Sequence, residues 1–262
     1  MTASPKIKAY YINCDKDVDR RRSTDKVLSQ LGLDFERLAG TMYSDLSEKS
    51  LAKFPDNMVK QAKVTPMIQA ELSLSYNHRR AWKKALAEDC DYVMVFEDDI
   101  ITYISEQRLK KLILEVHRKL KFDILYLGKC LDTCAQYEHQ FGQVYRVFGP
   151  HCAHAYMLTR STMKYLIKEP LSHSVIDRHI RNKIQADKLA AYAFHPSIFI
   201  QDVLRFDSNL RSKLSSLQNM TECQDLQLAQ EASNRTIVIV LVVIIVILIV
   251  LILLYWYQQR RR

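Results

Sequence analysis

A chain of 262 residues, 48% of them hydrophobic, is long enough for one sizeable globular domain with an appendage. Its five glycines cannot supply a GxGxxG dinucleotide loop or a GxxxxGKS/T phosphate loop, and GxSxG and HExxH are also absent, which removes the corresponding nucleotide, hydrolase and zinc-protease classes. The net charge of +9 is spread among acidic residues and accompanies no stacking-aromatic or DNA-reading pattern, so a nucleic-acid partner is not expected.

In chain order, Ala9 to Asn13 reads as a strand, Asp17 to Leu31 as a helix stopped at Gly32, and Leu33 to Leu38 as a second strand. A polar segment around Tyr43 to Lys63 precedes a long helix from Gln69 to Ala87. Tyr92 to Phe96 is a continuous apolar run, the mark of a strand buried on both faces. Leu109, Leu112, Ile113, Val116 and Leu120 give Ser105 to Leu120 the clearest amphipathic helical spacing. Strands at Asp123 to Leu127, Val144 to Phe148 and Ala153 to Leu158 follow, then a helix from Ser161 to Lys168 ended by Pro170. This alternation predicts an α/β domain over residues 1–210, followed by a polar stalk at 211–235.

The six cysteines, Cys14, Cys90, Cys130, Cys134, Cys152 and Cys223, are expected mainly as reduced thiols in a chain too large to need a disulfide framework. Zinc at Cys130 and Cys134, with His139, His151 and His154 nearby, has no familiar finger or ribbon spacing, and a loop disulfide or plain core cysteines are the better readings.

Residues Ile237 to Leu254 read IVIVLVVIIVILIVLILL, eighteen apolar residues followed by Tyr255, Trp256, Tyr257 and QQRRR. The pattern predicts a single membrane-spanning helix at 236–257 with an aromatic belt and a basic tail at 258–262. Without a signal-peptide core at the N-terminus, the expectation is a C-terminally anchored, single-pass membrane protein whose partner is the lipid bilayer and whose domain faces the cytosol. Arg260, Arg261 and Arg262 pull toward the opposite orientation.

YVMVFEDDI runs the buried strand straight into Glu97, Asp98 and Asp99. The carboxyl end of a central strand is where open α/β sheets place their ligand crevice, and extended geometry would turn Glu97 and Asp99 to one side and Asp98 to the other. Hard oxygen donors of this kind suit Mg2+ or Mn2+ held together with phosphate oxygens. From the cluster alone, a metal site and an acidic rim capping the next helix are equally good readings.

Four segments, in order, resemble glycosyltransferase family 25, the group containing bacterial lipopolysaccharide galactosyltransferases and collagen hydroxylysine galactosyltransferases. YINCDKDVDRRR carries Asn13, Asp19 and Arg20; TPMIQAELSLSYNHRRAW carries Glu71 and His78; YVMVFEDDI carries the acidic motif. AHAYMLTRSTMKYL, VID ending at Asp177, and HPSIFIQ with Pro196 and Gln201 form the looser fourth match. The resemblance implies a GT-A-like nucleotide-sugar-binding domain with a mixed sheet, a UDP-sugar donor, Mn2+ or Mg2+, and a glycan or protein hydroxyl as acceptor. It implies inverting transfer of a hexose, galactose or glucose by analogy. It puts Asp99 and Glu97 on the metal, and Asn13, Arg20, His78, Glu97 and Asp98 on the donor. Asp177 takes the role of catalytic base. The alternative is an inactive relative serving as a membrane-bound binding, adhesion or adaptor module.

Overall fold

The structure, a computed structural model, describes residues 5–173, 175–206, 222–223, 244–245 and 248. The chain opens with β1 (Ile7–Asn13), α1 (Val18–Gln30) and β2 (Phe35–Ala39), the strand, helix, strand order that the sequence predicts. Leu33 N–H and Gly32 N–H close the end of α1 onto the carbonyls of Leu28 and Ser29, and Gly32 takes a φ of 57° there, a left-handed cap that glycine adopts without strain. The polar segment after β2 folds into a short 3-10 turn (Tyr43–Asp45), α2 (Glu48–Leu51) and α3 (Asp56–Ala62).

Then come α4 (Pro66–Ala87), β3 (Tyr92–Glu97), β4 (Ile100–Thr102) and α5 (Glu106–Lys119). Ser105 caps α5 by accepting the N–H of Arg108, and His117, Arg118 and Lys119 sit in its last turn, where the helix dipole favours cations. The rest is β5 (Ile124–Cys130), β6 (Glu138–Phe141), β7 (Val144–Arg146), β8 (His151–Thr159), α6 (Arg160–Lys168), α7 (Ile176–Gln185), β9 (Ala191–Phe194) and β10 (Phe199–Gln201).

Eight strands form one mixed sheet in the order β2-β1-β3-β8-β5-β9-β7-β6, and β4 pairs with β10 in a separate two-stranded sheet. Successive residues of the central strands point to opposite faces. Tyr10, Ile12, Val93 and Val95 pack with Trp82 of α4 and with Leu166 and Ile180 of α6 and α7. Ala9, Tyr11, Met94 and Phe96 pack with Leu28 of α1 and with Leu109, Leu112 and Val116 of α5. Helices therefore cover both faces, which is why β3 is apolar throughout rather than alternating.

β1 pairs in parallel with β2 on one side and β3 on the other, Ile12 lying opposite Glu97. The chain leaves β1 in one direction and returns on its other flank, so a crevice opens between the carboxyl ends of β1 and β3. At Gly128, where the β5 and β8 register shifts, a Cβ would overlap both His154 Nε2 and the Phe199 carbonyl oxygen. The bare backbone lets β10 lie close against β5 at this point.

Two expectations are corrected. Among the described residues no helix is long and apolar enough to cross a membrane. The longest, α4, carries Asn77, His78, Arg79, Arg80, Lys83 and Lys84 within its 22 residues. The single-pass anchor, the bilayer as partner and the membrane localisation therefore drop out of the description. Of the segment 237–254, only Ile244, Ile245 and Leu248 are described; the rest, like the basic tail and all of the stalk but Glu222 and Cys223, lies outside the described residues. The cysteines are also not mainly thiols. Cys130 is bonded to Cys152 and Cys134 to Cys223, leaving Cys14 and Cys90 free. The second link spans 89 residues, a pairing set by the fold rather than by any local spacing.

Candidate functional site

β3 ends at Glu97, and Asp98 and Asp99 occupy the turn before β4, so strand alternation does not extend through the cluster. Asp98 therefore does not turn away from Asp99. Both carboxylates meet the same guanidinium, with Arg20 Nη1 2.7 Å from Asp98 Oδ1 and Nη2 2.9 Å from Asp99 Oδ2. Arg20 and Thr24 are one helical turn apart on the same face of α1, and the Thr24 hydroxyl donates to the Asp98 carbonyl at 2.8 Å. That pair of contacts docks α1 onto the turn.

Asn13, at the end of β1, is oriented by its neighbours. Arg37 Nε can only donate, so its 2.9 Å contact fixes the Asn13 amide oxygen on that side. The amide nitrogen is thereby aimed at Asp98 Oδ2, 2.6 Å away. Gln201, at the end of β10, donates to Asp99 Oδ2 at 3.3 Å. Arg20, Asp98, Asp99 and Gln201 line a cavity of about 210 Å3, with Glu97 on its wall and Lys16, Thr41 and Asn77 around it. A larger depression of about 940 Å3 lies at the opposite end of β3, around Tyr92, His117 and Arg160, and contains no comparable carboxylate cluster. The converging charges, rather than concave volume, mark the smaller cavity as the candidate site.

One arginine faces three carboxyl groups, and the electrostatics record the imbalance. Burial, with Asp99 and Asp98 beside it, pushes the Glu97 carboxyl well above the usual carboxylate range, against the pull of Arg20. Burial also lifts Asp98 to about 6, although Arg20 and the Asn13 hydrogen bond oppose the rise. For Arg20, burial works downward but Asp99 and Asp98 outweigh it, leaving its pKa raised.

His78 is fully buried behind Glu97, with Nε2 4.0 Å from Glu97 Oε1. Burial holds it neutral, its pKa lowered to about 3, so the contact is not an ion pair. Its tautomer follows from a chain of donors. Trp82 Nε1 donates to the Tyr156 hydroxyl at 2.9 Å, which directs the Tyr156 hydrogen to His78 Nδ1 at 2.8 Å. The imidazole hydrogen is then on Nε2, a buried donor without a hydrogen-bond partner, facing Glu97.

The structure thus gathers Arg20, Glu97, Asp98 and Asp99 at one cavity, holds Asn13 against Asp98 outside that lining, and puts His78 behind the wall. Asp177, in the first turn of α7, does not line the cavity; its Oδ2 accepts the Cys152 N–H at 3.2 Å, and its charge contributes to raising Glu97. Thr24 and Asn77 were missed from the sequence. Thr24 was accessible through its i, i+4 spacing from Arg20, but nothing local announces that Asn77 clamps Thr41, accepting its N–H at 3.0 Å and donating to its carbonyl at 3.1 Å.

A second donor group lies elsewhere. Cys134, His195 and Cys223 each offer a ligand atom within 4.8 Å of the others and could hold a metal ion, though the two sulfurs are joined as a disulfide. Oxygen donors favour Mn2+ or Mg2+; this sulfur and nitrogen set does not.

A mixed sheet with helices on both faces and a carboxylate-lined crevice at the ends of its central strands defines a glycosyltransferase-like α/β fold. The chain belongs to glycosyltransferase family 25 (LPS biosynthesis protein), whose pattern matches residues 6–178. It is 26% identical over 129 residues to a glycosyltransferase 25 family member of Aedes aegypti, covering 46% of this chain and 21% of that protein. It is 25% identical over 167 residues to the lipooligosaccharide biosynthesis protein lic2B of Haemophilus influenzae, covering 60% of this chain and 61% of that one. The alignments thus span only part of each relative's length. Among solved structures, a glycosyltransferase involved in glycosylation of the major capsid of PBCV-1 aligns over 82% of this chain and 99% of its own, with 9% identity and a TM-score of 0.43.

Proposed function

We propose that this chain transfers a hexose, with inversion, from a UDP-sugar to a hydroxyl group of a glycan or protein. The observation that carries the reading is the excess of carboxylate over cationic charge at the cavity, with Glu97 and Asp98 both raised by burial. Uncompensated oxygen donors fit a divalent cation, and Asp99 and Glu97 are the residues to hold Mn2+ or Mg2+. Such an ion, when bound, stabilises the charge that develops on the leaving diphosphate.

The other roles belong to the chain's own groups. Arg20 supplies a fork of N–H donors suited to phosphate oxygens, and Asn13 keeps Asp98 oriented beside it. His78 stands behind Glu97, its Nε2 4.0 Å from the carboxyl group. Asp177, partly exposed, is the acceptor-side carboxylate to take the hydroxyl proton as the new glycosidic bond forms.

The test is release of UDP from a panel of UDP-hexoses with Mn2+ and a hydroxyl acceptor. Asp99→Ala is expected to lower turnover at least about 100-fold, about 2.7 kcal/mol of transition-state stabilisation, while circular dichroism stays unchanged. Turnover equal to the parent chain would sink the assignment.

A second reading, a binding module without turnover, has one observation in its favour: Arg20 already bridges Asp98 and Asp99. Calorimetric titration with UDP separates the two. The enzyme binds UDP more tightly with Mn2+ than without, whereas the module shows no metal effect.

A further inference from the structure

Three segments far apart in sequence meet beyond the carboxyl end of β5. Cys134 lies in a 3-10 turn (Cys134–Gln136), His195 directly after β9, and Cys223 in a bridge to Asp132. Their ligand atoms lie within 4.8 Å of one another. Two sulfurs and an imidazole form a donor set suited to zinc, and a tetrahedral site with Zn–S bonds of about 2.3 Å needs its sulfurs about 3.8 Å apart. Cysteines with a Cα–Cα separation of 5.3 Å reach that spacing by side-chain rotation once the sulfurs are unlinked.

The surroundings of His195 are those of a metal-binding imidazole. Its Nδ1 lies 3.0 Å from Glu222 Oε2. Glu222 is itself fixed by the Ser197 N–H at 2.7 Å and the Lys129 ammonium at 3.0 Å. A carboxylate on one ring nitrogen holds the hydrogen there and leaves the other lone pair available, so Nε2 is the ligand atom. Tyr137 and Tyr145 stand edge-on to the ring, with centroids 5.6 and 5.8 Å away, and limit its rotation.

We propose that Cys134, Cys223 and His195 are a redox-gated zinc site. Its disulfide form is metal-free; its reduced form binds one Zn2+ through two thiolates and His195 Nε2, with water completing the tetrahedron. A dithiol is the reductant. As the Cys134–Cys223 bond breaks, the dithiol's two hydrogens pass to the cysteine sulfurs and it leaves as a cyclic disulfide. Zn2+ then replaces the two thiol protons, which go to solvent, and the metal keeps its oxidation state. Either linkage ties the Glu222–Cys223 segment to the sheet.

The test uses the full chain, reduced with dithiothreitol and desalted without oxygen, with Co2+ as the spectroscopic probe. The reduced chain is expected to bind Co2+ with a thiolate-to-cobalt charge-transfer band that Zn2+ abolishes, and the oxidised chain to give no band. A Cys130→Ser, Cys152→Ser double variant keeps the band, because the other disulfide plays no part. Cys134→Ser loses it, and Glu222→Gln keeps it but weakens binding about 10- to 100-fold. Near-ultraviolet circular dichroism verifies folding in each case. A folded, reduced parent chain without the band overturns the proposal, as does a band that persists in folded Cys134→Ser.

Discussion

Glu97 and Glu222 are both carboxylates partly withdrawn from solvent, and the fold drives them in opposite directions. Glu97 shares its cavity with Asp98 and Asp99 against the single guanidinium of Arg20, and burial with those neighbours raises it. At Glu222 burial also pushes upward, but Lys129, the Ser197 N–H and His195 outweigh it and the carboxyl is lowered. The Lys129 side chain is fully buried, so one cation and one anion are matched with little charge left over. Residual charge at the first cluster is what the proposed cation would neutralise. At the second, matched charge holds a short segment against the sheet.

The largest effect on stability is expected where a counter-ion is removed. Arg20→Ala leaves Asp98 and Asp99 facing each other without compensation and should cost about 3–5 kcal/mol. Urea denaturation measures it, and added Mn2+ should restore part of the loss. A variant as stable as the parent would break the comparison at its first member. Glu222→Gln strands the Lys129 ammonium and should cost about 2–3 kcal/mol, less because Glu222 retains 19% side-chain exposure. Mn2+ should restore nothing there.

Tyr156→Phe removes the hydroxyl shared by Trp82 and His78 and should cost about 1–3 kcal/mol. It also frees the His78 tautomer, which 15N shifts of the ring would register as a loss of the Nε2–H form. An unchanged tautomer would mean that His78 is oriented by something other than this chain of donors.

The smallest effect is in pH dependence, and its sign separates the clusters. The folded-state pKa of Glu97 lies above its ordinary value of 4.5, so the folded chain retains a proton that the unfolded chain has released, and stability falls as pH rises above that value. The folded-state pKa of Glu222 lies below 4.5, so its contribution is present above that pH and disappears on acidification. In a chelator, Glu97→Gln should flatten the alkaline decline and Glu222→Gln the acidic one. Equal slopes in the two variants would erase the distinction.

Much of this organisation was legible in the sequence. The helical spacing of Leu109, Leu112, Ile113 and Val116 and the unbroken apolar run of β3 reflect burial directly, and both elements form where the pattern puts them. The order of the four family motifs also carried the recognition. Alternation would set Asp98 opposite Asp99 only if the backbone stayed extended, and the chain turns after Glu97. The disulfides and the Lys129–Glu222 pair join residues 22, 89 and 93 positions apart, distances at which no local pattern carries information. The membrane expectation rests on residues 237–254, of which only Ile244, Ile245 and Leu248 are described, and no described helix is long and apolar enough to cross a membrane.

At Gly128 the clearance between two layers is set by a hydrogen atom. β10 rests there by the Phe199 carbonyl, and the same three-residue strand ends at Gln201, whose amide reaches Asp99. The strand works as a short rigid spacer with one end bearing on bare backbone and the other on the acidic cavity. Its seating at residue 128 fixes how far Gln201 extends, so the width of the cavity on that side is determined by what position 128 lacks.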